Sequence, residues 1–290
     1  MKDFDKHKKN FLKMLCENVN SMSPEYQKTA KYIRRNYKKV SFMNLHELTE
    51  KLSVEEEVIN NYITSMGFGS FEEFRNELRH VAMIDLKSTD RFQISMDMIN
   101  PKVNSIMNHI VNKEISNLKK MLQTLNEETF ASIVEEVIKA NEVIIVATRA
   151  SAPIAIYACS ILNRIGKKTE YIISGGTEIF DRLTVIDRNT LIIGFGFARY
   201  PKETVKILSF FKKKNMRVIA ITDNLMSPLA RFSDIILTIP CESMSFTDFY
   251  ATPVCIINAL VILISQLDEQ TSLKYLNEFE NIAKDMGFYF

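Results

Sequence analysis

Two arginines stand where a parallel α/β sheet would hold its ligand. Arg149 follows the apolar run EVIIVA (142–147) and Arg199 follows TLIIGFG (190–196). Both runs read as strands, and open parallel sheets bind ligands beyond the carboxyl ends of their strands. A guanidinium presents a planar fork of donors that meets a phosphate or carboxylate through two parallel hydrogen bonds. Two of them at one sheet edge predict an anion seat. Ser151, where the next helix begins, adds a hydroxyl and backbone N–H donors. Thr148 and Tyr200 neighbour the two arginines, and Glu242 and Ser243 lie in the loop after the last strand. These seven are the candidate ligand contacts. The structural alternatives are an arginine held by Asp181, Asp187 or Glu203, and a solvated loop for Glu242 and Ser243.

A second constellation occupies 44–79, NLHELTEKLSVEEEVINNYITSMGFGSFEEFRNELR, with the layout of a helix-turn-helix. Asn60 and Asn61 on its second helix can each pair bidentately with adenine. Lys28, Arg35 and Lys38, within a basic helix that also carries Lys31, Arg34 and Lys39, suit phosphate contacts. The second helix, however, opens with Glu55, Glu56 and Glu57. That end is the one a helix-turn-helix offers to the major groove, and carboxylates there oppose phosphates. Ser53-x-x-Glu56 reads as a capping box. Acids in a first helical turn also favour the macrodipole by roughly 0.3–1 kcal/mol each. The acids therefore suit the helix while opposing DNA at its reading end. DNA is an expected partner with this local charge against it.

Bulk composition does not decide the matter. The chain has 290 residues, 37 Lys plus Arg and 35 Asp plus Glu. The first 80 residues hold 14 basic and 12 acidic residues, leaving 23 of each (37 − 14 and 35 − 12) for the rest. Neither part is a polycation, so nucleic-acid binding needs a local patch. The four cysteines lie far apart with no CxxC pair and no nearby histidine cluster, against a zinc site or disulfide framework; no metal and no cofactor is expected. The amino-terminal segment lacks the apolar run of a signal peptide. The longest apolar stretch, 253–264, is too short to span a bilayer. A cytoplasmic protein without membrane contact is expected. Isomerase chemistry on such a sheet needs a general base. All four histidines, His7, His46, His80 and His109, precede the sheet, and nothing marks out Glu178, Glu203 or Glu242. The expectation is a protein that is not an enzyme.

The elements that must position these residues fall into two patterns. Residues 1–80 show helical periodicity: Ser23-Pro24 is an N-cap followed by a first-turn proline, Gly67 a left-handed helix end, and Ser70 with Glu73 a capping box. Amphipathic helices follow at 103–123 and 126–140. From 141 onward, short β-rich runs at 142–147, 169–173, 190–196, 217–222 and 234–239 alternate with helices near 153–165, 176–184, 200–215, 227–232 and 253–267. This predicts an all-α helix-turn-helix domain followed by a doubly wound α/β domain with a five-stranded parallel, flavodoxin-like sheet. The expected domains are 1–80, a linker of helices over 81–125, and 126–290.

These residues also carry a resemblance. MSPEYQKTAKYIRRNYKKVSFMNLHELTEKLSV with GFGSFEEFRNELR resembles the helix-turn-helix domain of RpiR-type bacterial transcriptional regulators. LNRIGKK (162–168), RYPKETVKIL (199–208), VIAITDNLMSPLARFSDIIL (218–237) and SFTDFYATPVCIINALV (245–261) resemble their SIS (sugar isomerase) domain. The resemblance implies a dimer or higher homo-oligomer whose SIS domain senses a phosphorylated sugar or related metabolite and controls DNA binding. A sensor that has lost DNA readout and acts through a protein partner is the alternative, and a sugar-phosphate isomerase a further one. Three departures stand out. The family's reading helix usually opens with a small hydroxyl residue and carries an arginine a turn later, where this chain has Glu55 and Asn61. The first SIS loop, usually glycine-rich with paired serines, reads ATRAS (147–151). The usual Ser-x-Ser-Gly-x-Thr phosphate loop is replaced by GFGFARYPKET (194–204).

Overall fold

The computed structural model describes residues 2–17, 22–83, 86–98, 102–176, 178–243, 246 and 248–288. The chain divides into two compact units, Met1–Pro101 with Met244–Phe246, and Lys102–Ser243 with Thr247–Phe290. The stretch expected as a linker, 81–125, is thereby split between them.

The first unit is helical: α1 (Lys2–Met14), α2 (Pro24–Arg35), α3 (Tyr37–Val40), α4 (Leu45–Leu52), α5 (Glu56–Ser65), α6 (Phe71–Met83) and α7 (Ser88–Met98). Apolar positions at helical spacing explain its core. Ala30 and Ile33 of α2, Leu48 and Leu52 of α4, Ile59 and Ile63 of α5, and Phe74 and Leu78 of α6 are buried together. Burying a side chain of this size is worth about 1.5–3 kcal/mol. Tyr62 enters the same core and satisfies its hydroxyl on the Leu15 carbonyl at 2.7 Å. Ser23 caps α2 ahead of Pro24, and Gly67 takes φ +91°, as their positions predict. Ser70 accepts from the Glu73 N–H, while the Glu73 carboxylate returns to the Gly69 N–H.

Ser53 does something else than expected. It ends α4 in the left-handed region, φ 52°, and Glu55, with no side-chain cap bond, precedes α5. The Ser53–Glu56 capping box is therefore corrected. The box that forms is one helix earlier, where Asn44 and Glu47 exchange side-chain-to-backbone hydrogen bonds. The tight turn between α4 and α5 uses Ser53 to reverse the chain, which leaves its hydroxyl unavailable as a cap.

The second unit runs α8 (Val103–Thr124), α9 (Glu127–Lys139), β1 (Val143–Val146), α10 (Ala152–Arg164), β2 (Thr169–Ile172), α11 (Glu178–Val185), β3 (Leu191–Gly196), α12 (Lys202–Lys213), β4 (Val218–Thr222), β5 (Ile235–Thr238), α13 (Ala251–Leu267) and α14 (Glu269–Asp285). The strands form one parallel sheet in the order β2-β1-β3-β4-β5, the flavodoxin-like arrangement. Alternation along each strand builds two cores. Val143 and Ile145 face α9, α10 and α13 with Ile193 and Ile221, while Ile144 and Val146 face α11 and α12 with Ile192 and Ala220. Gly194 lets α12 close onto β3, since a Cβ there would meet Leu208 at 2.6 Å. The helix expected at 227–232 is a single 3-10 turn, Ala230–Phe232, and α14 had no expected counterpart. Among the described residues no single helix is long and apolar enough to cross a membrane.

Candidate functional site

β1 and β3 are neighbours in register, Val143 opposite Leu191 and Val146 opposite Gly194. The chain winds to opposite sides from these two strands, so the crevice beyond their carboxyl ends is the switch point of the sheet. Arg149 and Arg199 are both exposed in the two loops that leave them. Both hold a left-handed backbone, φ 61° and φ 68°. Non-glycine residues in that region carry strain of order 1–3 kcal/mol, and such outliers cluster at ligand clamps. α12 begins without a side-chain cap bond, which leaves first-turn N–H groups for another acceptor, whereas α10 continues from a 3-10 turn, Arg149–Ser151, whose Arg149 carbonyl takes the Ala152 N–H. Glu203 in the first turn of α12 opposes an anion there and packs against Gly175, where a Cβ would lie 2.9 Å from it.

The remaining expected ligand contacts are committed inside the domain. Thr148 is fully buried and shares a hydroxyl–hydroxyl hydrogen bond of 2.9 Å with Thr204 of α12. Tyr200 donates its hydroxyl to Asp223 Oδ1 at 2.8 Å. Burial, then the adjacent Asp223 charge, holds the Tyr200 phenol well above its usual range. Burial likewise raises the Asp223 carboxyl, against the hydrogen bond from Tyr200. Ser151 is buried. Glu242 is held by Lys113 at 2.5 Å and Lys120 at 3.1 Å, both of α8, and Ser243 is buried. Sequence reasoning missed Thr204, whose partner lies 56 positions away in the chain with no local pattern to announce it.

In the first unit, Glu55, Glu56, Glu57 and Asn61 are exposed and Asn60 is partly so, while Ile59 and Tyr62 of α5 are buried. Three of the basic side chains are engaged within the unit. Lys28 donates to the carbonyl of Leu52 and so closes α4. Lys38 pairs with Asp90 at 2.8 Å and Lys39 with Asp97 at 2.9 Å. Lys31, Arg34 and Arg35 are exposed. The basic face expected for phosphates is thus narrower than six residues.

Residues 136–263 match the family model of the SIS domain. The sheet order and the match together make the second unit a SIS domain. An uncharacterised HTH-type transcriptional regulator of Caldanaerobacter subterraneus subsp. tengcongensis is 22% identical over 93% of this chain and 96% of its own length. Among solved structures, the sugar isomerase domain of the RpiR transcription factor from Sphaerobacter thermophilus is 25% identical, with a TM-score of 0.58 over 60% of this chain and 97% of that one. The Vibrio vulnificus NanR protein, solved in complex with ManNAc-6P, shares the fold at 18% identity, TM-score 0.58, over 95% of this chain and 98% of its own. The chain is thus similar to HTH-type and RpiR-type regulators, with a helical unit ahead of the residues that match the SIS domain.

Proposed function

We propose that this chain is a transcriptional regulator that contacts DNA through α4 and α5 and is controlled by a phosphorylated sugar or related anionic metabolite seated at the SIS switch point. The observation that carries the ligand half is the pair of exposed, left-handed arginines, Arg149 and Arg199, at the ends of adjacent strands. Two guanidinium forks, with the uncapped start of α12 just beyond Arg199, suit a phosphate. The sugar phosphate bound by the NanR neighbour supports the same class of ligand. The regulator names of relatives support the DNA half. The regulator names of the relatives favour binding over turnover as the role of the site. The functional assembly is a homodimer or higher oligomer in a cytoplasmic setting.

The test is a thermal-shift titration with sugar phosphates against the matching unphosphorylated sugars. A true ligand at a hundred times its Kd stabilises the fold by about 2.7 kcal/mol. The shift requires the phosphate and disappears in Arg199→Ala. Equal shifts with and without the phosphate contradict the reading.

A second reading is favoured by one observation, the exposure of Glu55, Glu56 and Glu57 at the reading end of α5. It makes the protein a sensor that acts through a protein partner without reading DNA. Selection of bound genomic fragments at low salt separates the two.

A further inference from the structure

Arg199 lies outside any helix or strand, between the end of β3 at Gly196 and the start of α12 at Lys202. Of residues 197–201 it alone is exposed. Its neighbours are held on both sides. Phe197 is buried, its ring 6.2 Å from that of Tyr250. Tyr200 packs on the core shared by α11 and α12, and its hydroxyl donates to Asp223 Oδ1 at 2.8 Å. Asp223 stands directly after β4, the strand paired with β3. One residue earlier, the fully buried Thr222 donates its hydroxyl to the Gly196 carbonyl at 2.7 Å. The ends of β3 and β4 are therefore fixed to each other where the Arg199 loop begins, and Tyr200 fastens the loop to the same strand end again.

Backbone rules make the fastening of Tyr200 decisive for Arg199. Pro201, φ −62°, leads into α12. A residue before proline is kept away from the helical region, so Tyr200 is confined to extended backbone. The reversal of the chain falls on Arg199, at φ 68°. A residue with a Cβ persists there only where its surroundings over-determine it. Beyond Arg199 those surroundings are the ring and hydroxyl of Tyr200. Arg149 is held differently: it belongs to a 3-10 turn closed by a backbone bond, from the Ala152 N–H to its own carbonyl. The Arg199 loop relies on a side-chain bond instead.

We propose that Tyr200 is a positioning residue of the anion seat, its hydrogen bond to Asp223 holding Arg199 in the left-handed backbone that presents the guanidinium to the ligand. This rests on the anion-seat reading above. A loop already held in its binding conformation loses less freedom when the ligand arrives, and that saving appears as affinity. With the bond removed, Arg199 relaxes out of the left-handed region and must be returned to it at each binding event. Tyr200 and Asp223 then act on the ligand without touching it.

Calorimetric titration of the full chain with inorganic phosphate tests the assignment. Tyr200→Phe weakens phosphate binding by about threefold to tenfold, the effect of leaving one long side chain and its loop to be ordered on binding. Asp223→Ala removes the same bond with Tyr200 still in place and weakens binding to the same extent. Asp223→Asn carries no charge but keeps an acceptor for the phenol, and it binds at least as tightly as wild type. That rescue separates the tether from the Asp223 charge, since both Asp223 variants lose the charge and only one loses the acceptor. If Arg199→Ala weakens binding while Tyr200→Phe and Asp223→Ala leave it unchanged, the seat stands and the positioning role is overturned. Equal weakening in Asp223→Asn and Asp223→Ala overturns it as well. If wild type and Arg199→Ala bind phosphate equally, or neither binds it, the anion seat itself is what fails.

Discussion

The hydroxyls of Thr148 and Thr204 lie 2.9 Å apart with both residues fully buried, and Thr204 Oγ1 also accepts from the Thr148 N–H at 3.3 Å. Thr148 immediately precedes Arg149, and Thr204 sits in the first helical turn beyond Arg199. The pair ties the two arginine loops to each other. Removing one member leaves the other buried without its partner, at about 1–3 kcal/mol. Thr204→Val orphans both a hydroxyl and a backbone N–H, so it is the more damaging change, and Thr148→Val the milder. The double variant costs less than the sum of the singles. Urea denaturation of all three checks this; strictly additive losses contradict the pairing.

The left-handed backbone at Arg149 and Arg199 separates stability from binding. Glycine adopts φ near 60° without the Cβ clash. Arg199→Gly is therefore expected to stay within about 1 kcal/mol of wild type, because relief of strain offsets the added freedom of the unfolded chain. The same variant loses the thermal shift with a sugar phosphate. A variant that unfolds early, or one that keeps the shift, argues that Arg199 serves the fold.

The sheet was readable because parallel strands buried on both faces appear as continuous Val and Ile runs, and each strand lies within a residue or so of its expected place. Arg149 and Arg199 were found for the same reason, since a strand end locates the loop after it. The other side chains of the site owe their roles to distant partners: Thr148 to Thr204, Tyr200 to Asp223, Glu242 to Lys113 and Lys120. The Asn44-x-x-Glu47 box is as visible in the sequence as Ser53-x-x-Glu56. What separates them is the reversal at Ser53, a property of the turn between two packed helices. Likewise Lys38 and Lys39 look free for DNA until α7 brings Asp90 and Asp97 beside them.

Asp223 makes stability pH-dependent in a defined direction. Burial raises its folded-state pKa despite the bonds from Tyr200 and Thr222. A carboxyl with a raised folded pKa contributes stability that is fully present below its unfolded value, about 4, and is lost as pH rises through the folded value. Asp223→Asn keeps an acceptor for Tyr200 and does not titrate. Its stability relative to wild type is expected to climb as pH rises from about 4 toward neutrality. Parallel melting curves over that window contradict the assignment.

Glu242 is an anchor with two lysines on it, and its side chain and that of Lys113 are each 13% exposed. Taking away one partner of a buried ion pair strands the other charge, so Glu242→Leu is expected to destabilise the second unit by about 3 kcal/mol. Such a pair is only weakly screened, so the loss persists at high salt. A loss that vanishes in salt, or affinity for a sugar phosphate falling with no change in stability, would return Glu242 to the ligand set.

The acids at the reading end of α5 set the central question, and the affinity of the full chain for DNA answers it. The measurement is fragment selection from genomic DNA at low salt, followed by titration of the enriched site against salt, with and without the sugar phosphate that gives the largest thermal shift. A regulator enriches a palindromic site, loses affinity as salt rises, and changes affinity about 5- to 150-fold when the sugar phosphate is added. Glu55→Ser with Glu57→Ser strengthens the binding, because Glu55 and Glu57 are exposed at the helix start and oppose phosphates there. No enriched sequence at low salt, in wild type or in that variant, contradicts DNA regulation by this protein.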